Sequence, residues 1–149
     1  MKKIFSGLFL FTIILNLISC KDVKYVRDYS KGSIIEVRLK EALDSAKTDE
    51  NIILFTQSTC MDCINLKKIL IPYVENHNIF IKEVVLDKEG MSKEEISRNR
   101  KKINEIFPNF NSTPSMYYVK NGKIIDEIYN IDSEEVLDSW VVKNKLDKK

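Results

Sequence analysis

The chain has 149 residues, of which 44% are hydrophobic and 31% are charged. This length and composition fit one globular domain with its own core, and they exclude a low-complexity chain. The 24 basic and 22 acidic residues nearly balance, so no strongly basic surface indicates a nucleic-acid partner.

The first twenty residues carry the pattern of a bacterial lipoprotein signal. Lys2 and Lys3 precede a mostly apolar stretch over residues 4–18, which is shorter than the roughly 20 residues of a membrane span. The run Leu17-Ile18-Ser19-Cys20 resembles the lipobox, in which the cysteine becomes the lipidated N-terminus. The alternatives are an ordinary signal peptide, or an N-terminal anchor helix with an incidental cysteine.

These N-terminal features predict a protein of the bacterial cell envelope that faces outside the cytoplasm. We expect residues 1–19 to be a lipoprotein signal peptide, residues 20–33 a lipidated N-terminus and tether, and residues 34–149 the domain. A palmitate-containing lipid on Cys20 then provides the contact with the membrane. Removing residues 1–19 takes away two lysines and no acid, so 22 basic and 22 acidic residues remain and the net charge is zero.

The first half of the domain predicts a helix, a strand and a second helix. Ser33 and Glu36 have the spacing of a capping box, and apolar residues then recur at helical spacing, so we expect a helix over residues 34–47. Residues 52–56 are a short apolar run that is typical of a buried strand. The next helix begins at two cysteines, and Pro72 is expected to kink or end it.

A strand and a polar helix come next. Residues 79–86 are rich in β-branched side chains and predict the strand. Ser92 with Glu95 forms a second capping box, and Pro108 is expected to end the helix that begins there.

The C-terminal part predicts a hairpin and a closing helix. The strands at residues 115–119 and 123–129 flank Asn121-Gly122, the favoured type I′ turn. Asp132 is expected to cap the last helix. The resulting order α, β, α, β, α, β, β, α predicts an α/β fold, with a mixed central sheet of about four strands and helices on both faces.

Cys60-Met61-Asp62-Cys63 carries the chemistry. If Cys20 is lipidated, these two thiols are the remaining pair, and they lie too close in sequence to make an effective structural cross-link. The start of a helix favours a thiolate at Cys60, and the pair can cycle between dithiol and disulfide. Met61 and Asp62 are expected to tune the redox properties of this pair. The Asp62 carboxylate should raise the thiol pKa and so favour the reduction of substrates by the protein. Asp62 can equally be read as an ordinary acid of a first helical turn.

At this point the chain resembles the thioredoxin-like family over about residues 34–147. Four features carry the resemblance, in this order: the strand Ile52–Phe55, Cys60-x-x-Cys63 at a helix start, Thr113-Pro114-Ser115, and the hairpin around Asn121-Gly122. The resemblance implies a thioredoxin-like fold in which Pro114 is cis and faces the cysteines. The neighbouring group is that of small exported bacterial proteins, some of which accompany bacteriocin export.

The resemblance also implies a thiol–disulfide oxidoreductase without a cofactor other than its own Cys60–Cys63 disulfide. Cys60 attacks a substrate disulfide, Cys63 resolves the mixed disulfide, and Thr113 with Pro114 holds an extended substrate segment. The implied partners are exported proteins or peptides and an electron donor of the membrane or envelope. We expect a potential that leans towards reduction.

Two departures from the family stand out. Leu54 occupies the strand position at which thioredoxins carry a buried acid, so Glu83 or a water molecule is the candidate to replace it. The segment from Cys63 to Pro114 is also longer than in thioredoxin, and the polar helix from Ser92 takes up the extra length.

Two other functions stay open. The two thiolates, with Met61 or Met116, suit the soft ion Cu(I), whereas a zinc site lacks ligands because His77 is the single histidine. No metal site is therefore predicted as the leading function. The other alternative is a non-catalytic accessory protein that keeps the fold and assists the export of a peptide or bacteriocin.

Overall fold

The computed structural model describes residues 24–149. The expected signal peptide and the lipidation of Cys20 lie outside the described residues and stay predictions. The described elements, in chain order, are β1 (Ser33–Glu36), α1 (Leu39–Thr48), β2 (Glu50–Thr56), α2 (Met61–Val74), β3 (Phe80–Val85), α3 (Lys93–Asn104), β4 (Ser115–Lys120), β5 (Lys123–Tyr129) and α4 (Glu134–Asn144).

The strands form one mixed sheet in the order β1-β3-β2-β4-β5. The first three are parallel to one another, and the hairpin β4-β5 adds two antiparallel strands beside β2. The predicted mixed sheet is confirmed, with one strand more than expected. Asn121 and Gly122 have φ values of 49° and 76°, as the predicted type I′ turn requires.

The additional strand β1 occupies a segment that the sequence assigned to a helix. Ser33 and Glu36 form no capping box, because this segment pairs in parallel with β3, from Ser33 opposite Phe80 to Glu36 opposite Glu83. Helix α1 begins only at Leu39. The prediction was wrong here because the free edge of β3 satisfies these backbone groups, and a local sequence pattern contains no information about that edge.

Helices cover both faces of the sheet, as predicted. One buried cluster lies beneath α2 and α4 and contains Leu66, Leu70, Leu137 and Trp140. The other lies beneath α1 and α3 and contains Ala42, Ala46, Ile103 and Phe107. Such a sheet is buried on both faces, which explains why its central strands are continuous apolar runs in the sequence.

The helix ends agree with the sequence only in part. The capping box at Ser92 is confirmed, since the Ser92 hydroxyl accepts the Glu95 N–H and the Glu95 carboxylate accepts the Ser92 N–H. Ser133, and not Asp132, caps α4 and accepts the N–H of Val136. Pro72 lies inside the last turn of α2, which ends two residues later at Val74.

The described part of the expected tether contacts the domain. The Arg27 guanidinium donates to Asp138 and Asp147 at 2.6 and 2.7 Å, and the Lys149 N–H donates to the Val26 carbonyl. Residues 26 and 27 are therefore part of the folded unit rather than a free linker. Within residues 24–149, no helix combines the length and the apolar character that crossing a membrane requires.

Candidate active site

Cys60 is the N-cap residue of α2. Its φ of −78° and ψ of 116° are extended, and its Sγ accepts a hydrogen bond from the Cys63 N–H at 3.2 Å. The sulfur thus takes the place of the serine or aspartate oxygen that usually satisfies a free N–H at a helix start. The buried end of β2 and the exposed turn at residues 57–59 position this residue beyond the carboxyl end of the central strand.

The two thiols differ sharply in exposure. Cys60 is half-buried, whereas Cys63, one helical turn further on, is only 1% exposed. Both are free thiols in the structure. An incoming sulfur can therefore reach Cys60 directly, and it can reach Cys63 only through Cys60.

The loop before β4 completes the site. The Thr113–Pro114 peptide bond is cis, as the family resemblance implies. Because β4 pairs with β2, with Ser115 opposite Phe55, this loop is placed beside the start of α2. The Cys60 Sγ–H donates to the Thr113 carbonyl at 3.6 Å, and the Thr113 hydroxyl donates to the Gln57 side chain at 3.2 Å.

The same contacts separate the acidities of the two thiols. Partial burial raises the pKa of Cys60, but hydrogen bonds with the side chain and the backbone of Cys63, with Thr113 and with the backbone of Asp62 outweigh it, so the net pKa is lowered. Burial, reinforced by the neighbouring Cys60, raises the pKa of Cys63 to about 11. Cys60 is therefore the thiol that ionises first.

Asp62 contributes to the Cys60 site through its backbone. The pKa of Cys60 is lowered, as expected for a thiol at a helix start, and the contribution of Asp62 is a backbone hydrogen bond. Both Met61 and Asp62 are exposed, so water screens the carboxylate. The expected tuning of the thiol pair by Met61 and Asp62 stays a prediction.

Glu83 is a buried acid next to the strand position where Leu54 replaced the family's acid. Glu83 is 5% exposed and lies opposite Leu54 in the β2–β3 pair. The Thr56 hydroxyl donates to its carboxylate at 2.6 Å, and the Lys67 ammonium lies 2.7 Å away. Lys67, one helical turn beyond Cys63, thus pairs with a buried carboxylate.

The sequence did not indicate the support of the turn before Cys60. The Asp87 carboxylate accepts hydrogen bonds from the Ser58 N–H, at 3.0 Å, and from the Ser58 hydroxyl. These bonds lower the pKa of Asp87 and keep it ionised. No sequence signal could have revealed this pair, because its members are separated by a helix and a strand and meet only in the folded sheet.

The residues named for a metal do not come together as a ligand set. Within residues 24–149, no group of three or more histidine, cysteine, aspartate or glutamate residues could hold a metal ion. Met61 is exposed and Met116 is fully buried in the core beneath α2. His77 stacks on the Tyr73 ring, with 3.9 Å between the ring centroids. The copper alternative therefore rests on the two thiols alone.

Comparisons with known proteins establish the fold. No family model and no curated protein matches the chain. A thioredoxin from Malassezia sympodialis aligns with a TM-score of 0.58 at 13% identity, covering 80% of this chain and 97% of that one. A mutant thioredoxin from Halobacterium salinarum gives a TM-score of 0.57 at 14% identity, covering 82% of this chain and 97% of that one.

A third solved structure agrees with these two. Oxidised thioredoxin O1 from Arabidopsis thaliana aligns with a TM-score of 0.54 at 17% identity, covering 78% of this chain and 100% of that one. The predicted thioredoxin-like fold is thus confirmed. At identities this low the likeness concerns the fold, and the activity has to be argued from the site.

Proposed function

We propose that this protein is a thiol–disulfide oxidoreductase in which Cys60 attacks and Cys63 resolves. One observation carries the proposal: an accessible thiol with a lowered pKa accepts a hydrogen bond from the backbone N–H of a buried cysteine one turn behind it. The thiolate is the reactive form of cysteine. A low pKa at the accessible sulfur and a high pKa at the buried one assign the two successive steps to two different residues.

The exchange proceeds in two displacements. The Cys60 thiolate attacks one sulfur of a substrate disulfide, that disulfide breaks, and the other substrate sulfur leaves as a thiolate and takes a proton. Cys63 then loses its proton and attacks the Cys60 sulfur. This forms the Cys60–Cys63 disulfide and releases the second substrate thiol, so two electrons have passed from the protein to the substrate. The reverse sequence oxidises a dithiol.

The preferred direction depends on the reduction potential of the pair. The sequence-based argument for reduction relied on a raised thiol pKa at Cys60, and the lowered pKa removes that argument. Equilibration with glutathione buffers measures the potential. A potential of about −270 mV would mean that the protein reduces its substrates, and a potential above about −150 mV would mean that it oxidises them.

An insulin-reduction assay tests the activity. The wild-type protein should accelerate the precipitation of insulin by dithiothreitol, and Cys60→Ser should abolish the acceleration. Cys63→Ser is the matched control, because it retains the attacking thiol and should accumulate a mixed disulfide visible by mass spectrometry. Equal precipitation rates with wild type and Cys60→Ser would refute the proposal.

For the substrates we propose exported or envelope proteins, and for the location the outer side of a membrane. This part is supported by the signal-like pattern of the first twenty residues. Cys63→Ser expressed in cells should trap partners on Cys60, and mass spectrometry then identifies them. Exclusively cytoplasmic partners would contradict this part, and retained cellular function in a Cys60→Ser, Cys63→Ser double variant would favour the accessory role.

A further inference from the structure

A cleft adjoins Cys60 on the side of α3. It lies between the connection that follows β3, the outer face of α3 and the loop before β4, and it has a volume of about 240 Å³. Ile103 and Phe110, which are buried, form its floor. A volume several times the roughly 30 Å³ of one water molecule accommodates a side chain of the size of leucine or phenylalanine.

Two large apolar side chains at this cleft are largely exposed. Met91 is 79% exposed and Ile96 is 53% exposed, and both line the opening. Ile96 lies on α3, in which only Ile103 is buried. An exposed apolar rim around an apolar floor is typical of a surface that binds another apolar group.

The cleft is continuous with the thiol site through two residues. Thr113 lines the cleft, and its carbonyl accepts the hydrogen bond from Cys60. Gln57 also lines it and accepts the hydrogen bond from the Thr113 hydroxyl. A polypeptide whose cysteine lies at Cys60 therefore extends along Thr113 with a neighbouring side chain at the cleft.

The charge at the cleft favours an acidic neighbour in the bound polypeptide. The exposed Arg100 guanidinium donates to the Asn111 carbonyl at 3.4 Å, and it forms no ion pair with any other residue between 24 and 149. Asp87, the acid of the lining, stays ionised, but its carboxylate accepts the hydrogen bonds of Ser58 and forms no ion pair with Arg100. Arg100 is thus free to pair with a carboxylate.

We propose that this cleft selects polypeptide substrates, by binding a large apolar side chain close to the reacting cysteine and pairing Arg100 with an adjacent acidic residue. The selection rests on the proposed oxidoreductase function, since it acts on the substrate that Cys60 attacks. Small uncharged disulfides such as bis(2-hydroxyethyl) disulfide carry neither a large apolar side chain nor a carboxylate, and they gain nothing from the cleft.

The experiment compares short synthetic peptides that each carry one cysteine as a mixed disulfide with a chromogenic thiol. Three peptides differ only beside the cysteine, with Leu-Glu, Gly-Glu or Leu-Lys. Release of the chromogenic thiol by the reduced protein gives kcat/KM for each. We expect Leu-Glu to exceed Gly-Glu by about tenfold, the effect of burying one large apolar side chain, and to exceed Leu-Lys by a smaller factor.

Surface variants assign this preference to the cleft. Ile96→Glu should remove the preference for leucine over glycine, and Arg100→Glu should reverse the preference for Glu over Lys. Ile125→Glu is the matched control, because Ile125 is 50% exposed on β5 and does not line the cleft. Each of these side chains is exposed, so the substitutions leave the core intact.

Exchange with bis(2-hydroxyethyl) disulfide, which is small and uncharged, separates the two proposals. All three variants should exchange with it at the wild-type rate, because it presents neither an apolar side chain nor a carboxylate to the cleft. Normal exchange with this disulfide but equal kcat/KM for the Leu-Glu and Gly-Glu peptides overturns the cleft assignment and leaves the oxidoreductase in place. Failure to exchange with any disulfide overturns both.

Discussion

Hydrogen bonds to Cys60 come from the backbone and from the Cys63 side chain, and substitution can separate the two sources. Cys63→Ser keeps a side-chain donor of similar geometry, whereas Cys63→Ala keeps only the backbone N–H that donates at 3.2 Å. Because the donors favour the thiolate, the pKa of Cys60 should be higher in Cys63→Ala than in Cys63→Ser.

The rate of alkylation of Cys60 by iodoacetamide, followed against pH by mass spectrometry, measures this difference. The thiolate is the form that reacts, so the rate rises through the pKa. The denatured protein provides the reference pKa, about 8.5. The folded Cys63→Ser variant should have its midpoint below that reference. Coincident midpoints for the two variants would show that the Cys63 side chain does not stabilise the thiolate.

Glu83 and Lys67 should depend on each other for stability. Removing one partner of a buried ion pair leaves an uncompensated charge, which costs about 3–5 kcal/mol in a fully buried pair. The Lys67 side chain is 39% exposed, so water compensates part of the loss, and we expect Lys67→Met to cost about 1–2 kcal/mol of unfolding free energy.

A double-mutant cycle in urea tests this coupling. Glu83→Gln keeps an acceptor for the Thr56 hydroxyl and removes the charge, so the double variant Lys67→Met, Glu83→Gln should be more stable than Lys67→Met alone. Additive effects of the two substitutions would mean that the pair contributes no coupling energy.

Features that depend on residues close in sequence could be predicted, whereas contacts between residues that strand pairing brings together could not. The helix-start position of Cys60 follows from a short motif, and the family resemblance implied the cis bond at Pro114. The partners of Glu83 and Asp87 could not be predicted, because Thr56 and Ser58 precede them by 27 and 29 residues and meet them only through the β2–β3 pairing. The lowered pKa of Cys60 agrees with its position at a helix start.

At the scale of elements, β1 shows how tertiary pairing overrides a local pattern. Ser33 and Glu36 satisfy the capping-box spacing, yet the Ser33 N–H donates to the Ile79 carbonyl and the segment continues along β3. The type I′ hairpin and the capped α3 were predictable because their signals are completed within a few residues. A strand at a sheet edge has no such signal in its own sequence.

Gly32 controls the approach of β1 to β3. A Cβ at this position would lie 2.0 Å from the Ile79 carbonyl oxygen. This oxygen belongs to the backbone, so it cannot move aside as a flexible side chain could. We therefore expect Gly32→Ala to displace β1 and to lower the unfolding free energy by about 2–4 kcal/mol, as for other strongly overpacked sites.

Thermal unfolding followed by circular dichroism measures this loss. Ser30→Ala is the control, because Ser30 is an exposed neighbour whose hydrogen bonds are with the Asp28 carboxylate, and its melting temperature should change far less than that of Gly32→Ala. A Gly32→Ala variant as stable as Ser30→Ala would mean that β1 has room that the structure does not show.

At the scale of the whole molecule, one polar cluster joins both ends of the described chain to the helix of the active site. The Arg27 guanidinium and the Tyr73 hydroxyl both donate to the Asp138 carboxylate at 2.6 Å. Arg27 also pairs with Asp147, which is fully buried. Helix α2 thus carries Cys60 at its start and is tied to α4 and the N-terminal segment near its end.

This cluster makes a specific contribution to the pH dependence of stability. The hydrogen bonds from Arg27 hold the pKa of Asp138 below its ordinary value. A carboxyl whose pKa is lowered by folding stabilises the folded state fully above its unfolded pKa, about 3.9, and loses that contribution as the pH falls through the folded pKa. Asp138→Asn should therefore be clearly less stable than wild type at pH 7, and the difference should shrink below about pH 4.

Urea unfolding of both proteins between pH 7 and pH 3 measures the difference. Asp44→Asn is the matched control, because Asp44 pairs with Lys40 on the exposed face of α1, and such a surface pair contributes little to stability. A constant difference between Asp138→Asn and wild type across this range would mean that the carboxylate charge is not what holds the two chain ends to α2. The cluster would then stabilise the fold through packing and neutral hydrogen bonds, and its effect would not depend on pH.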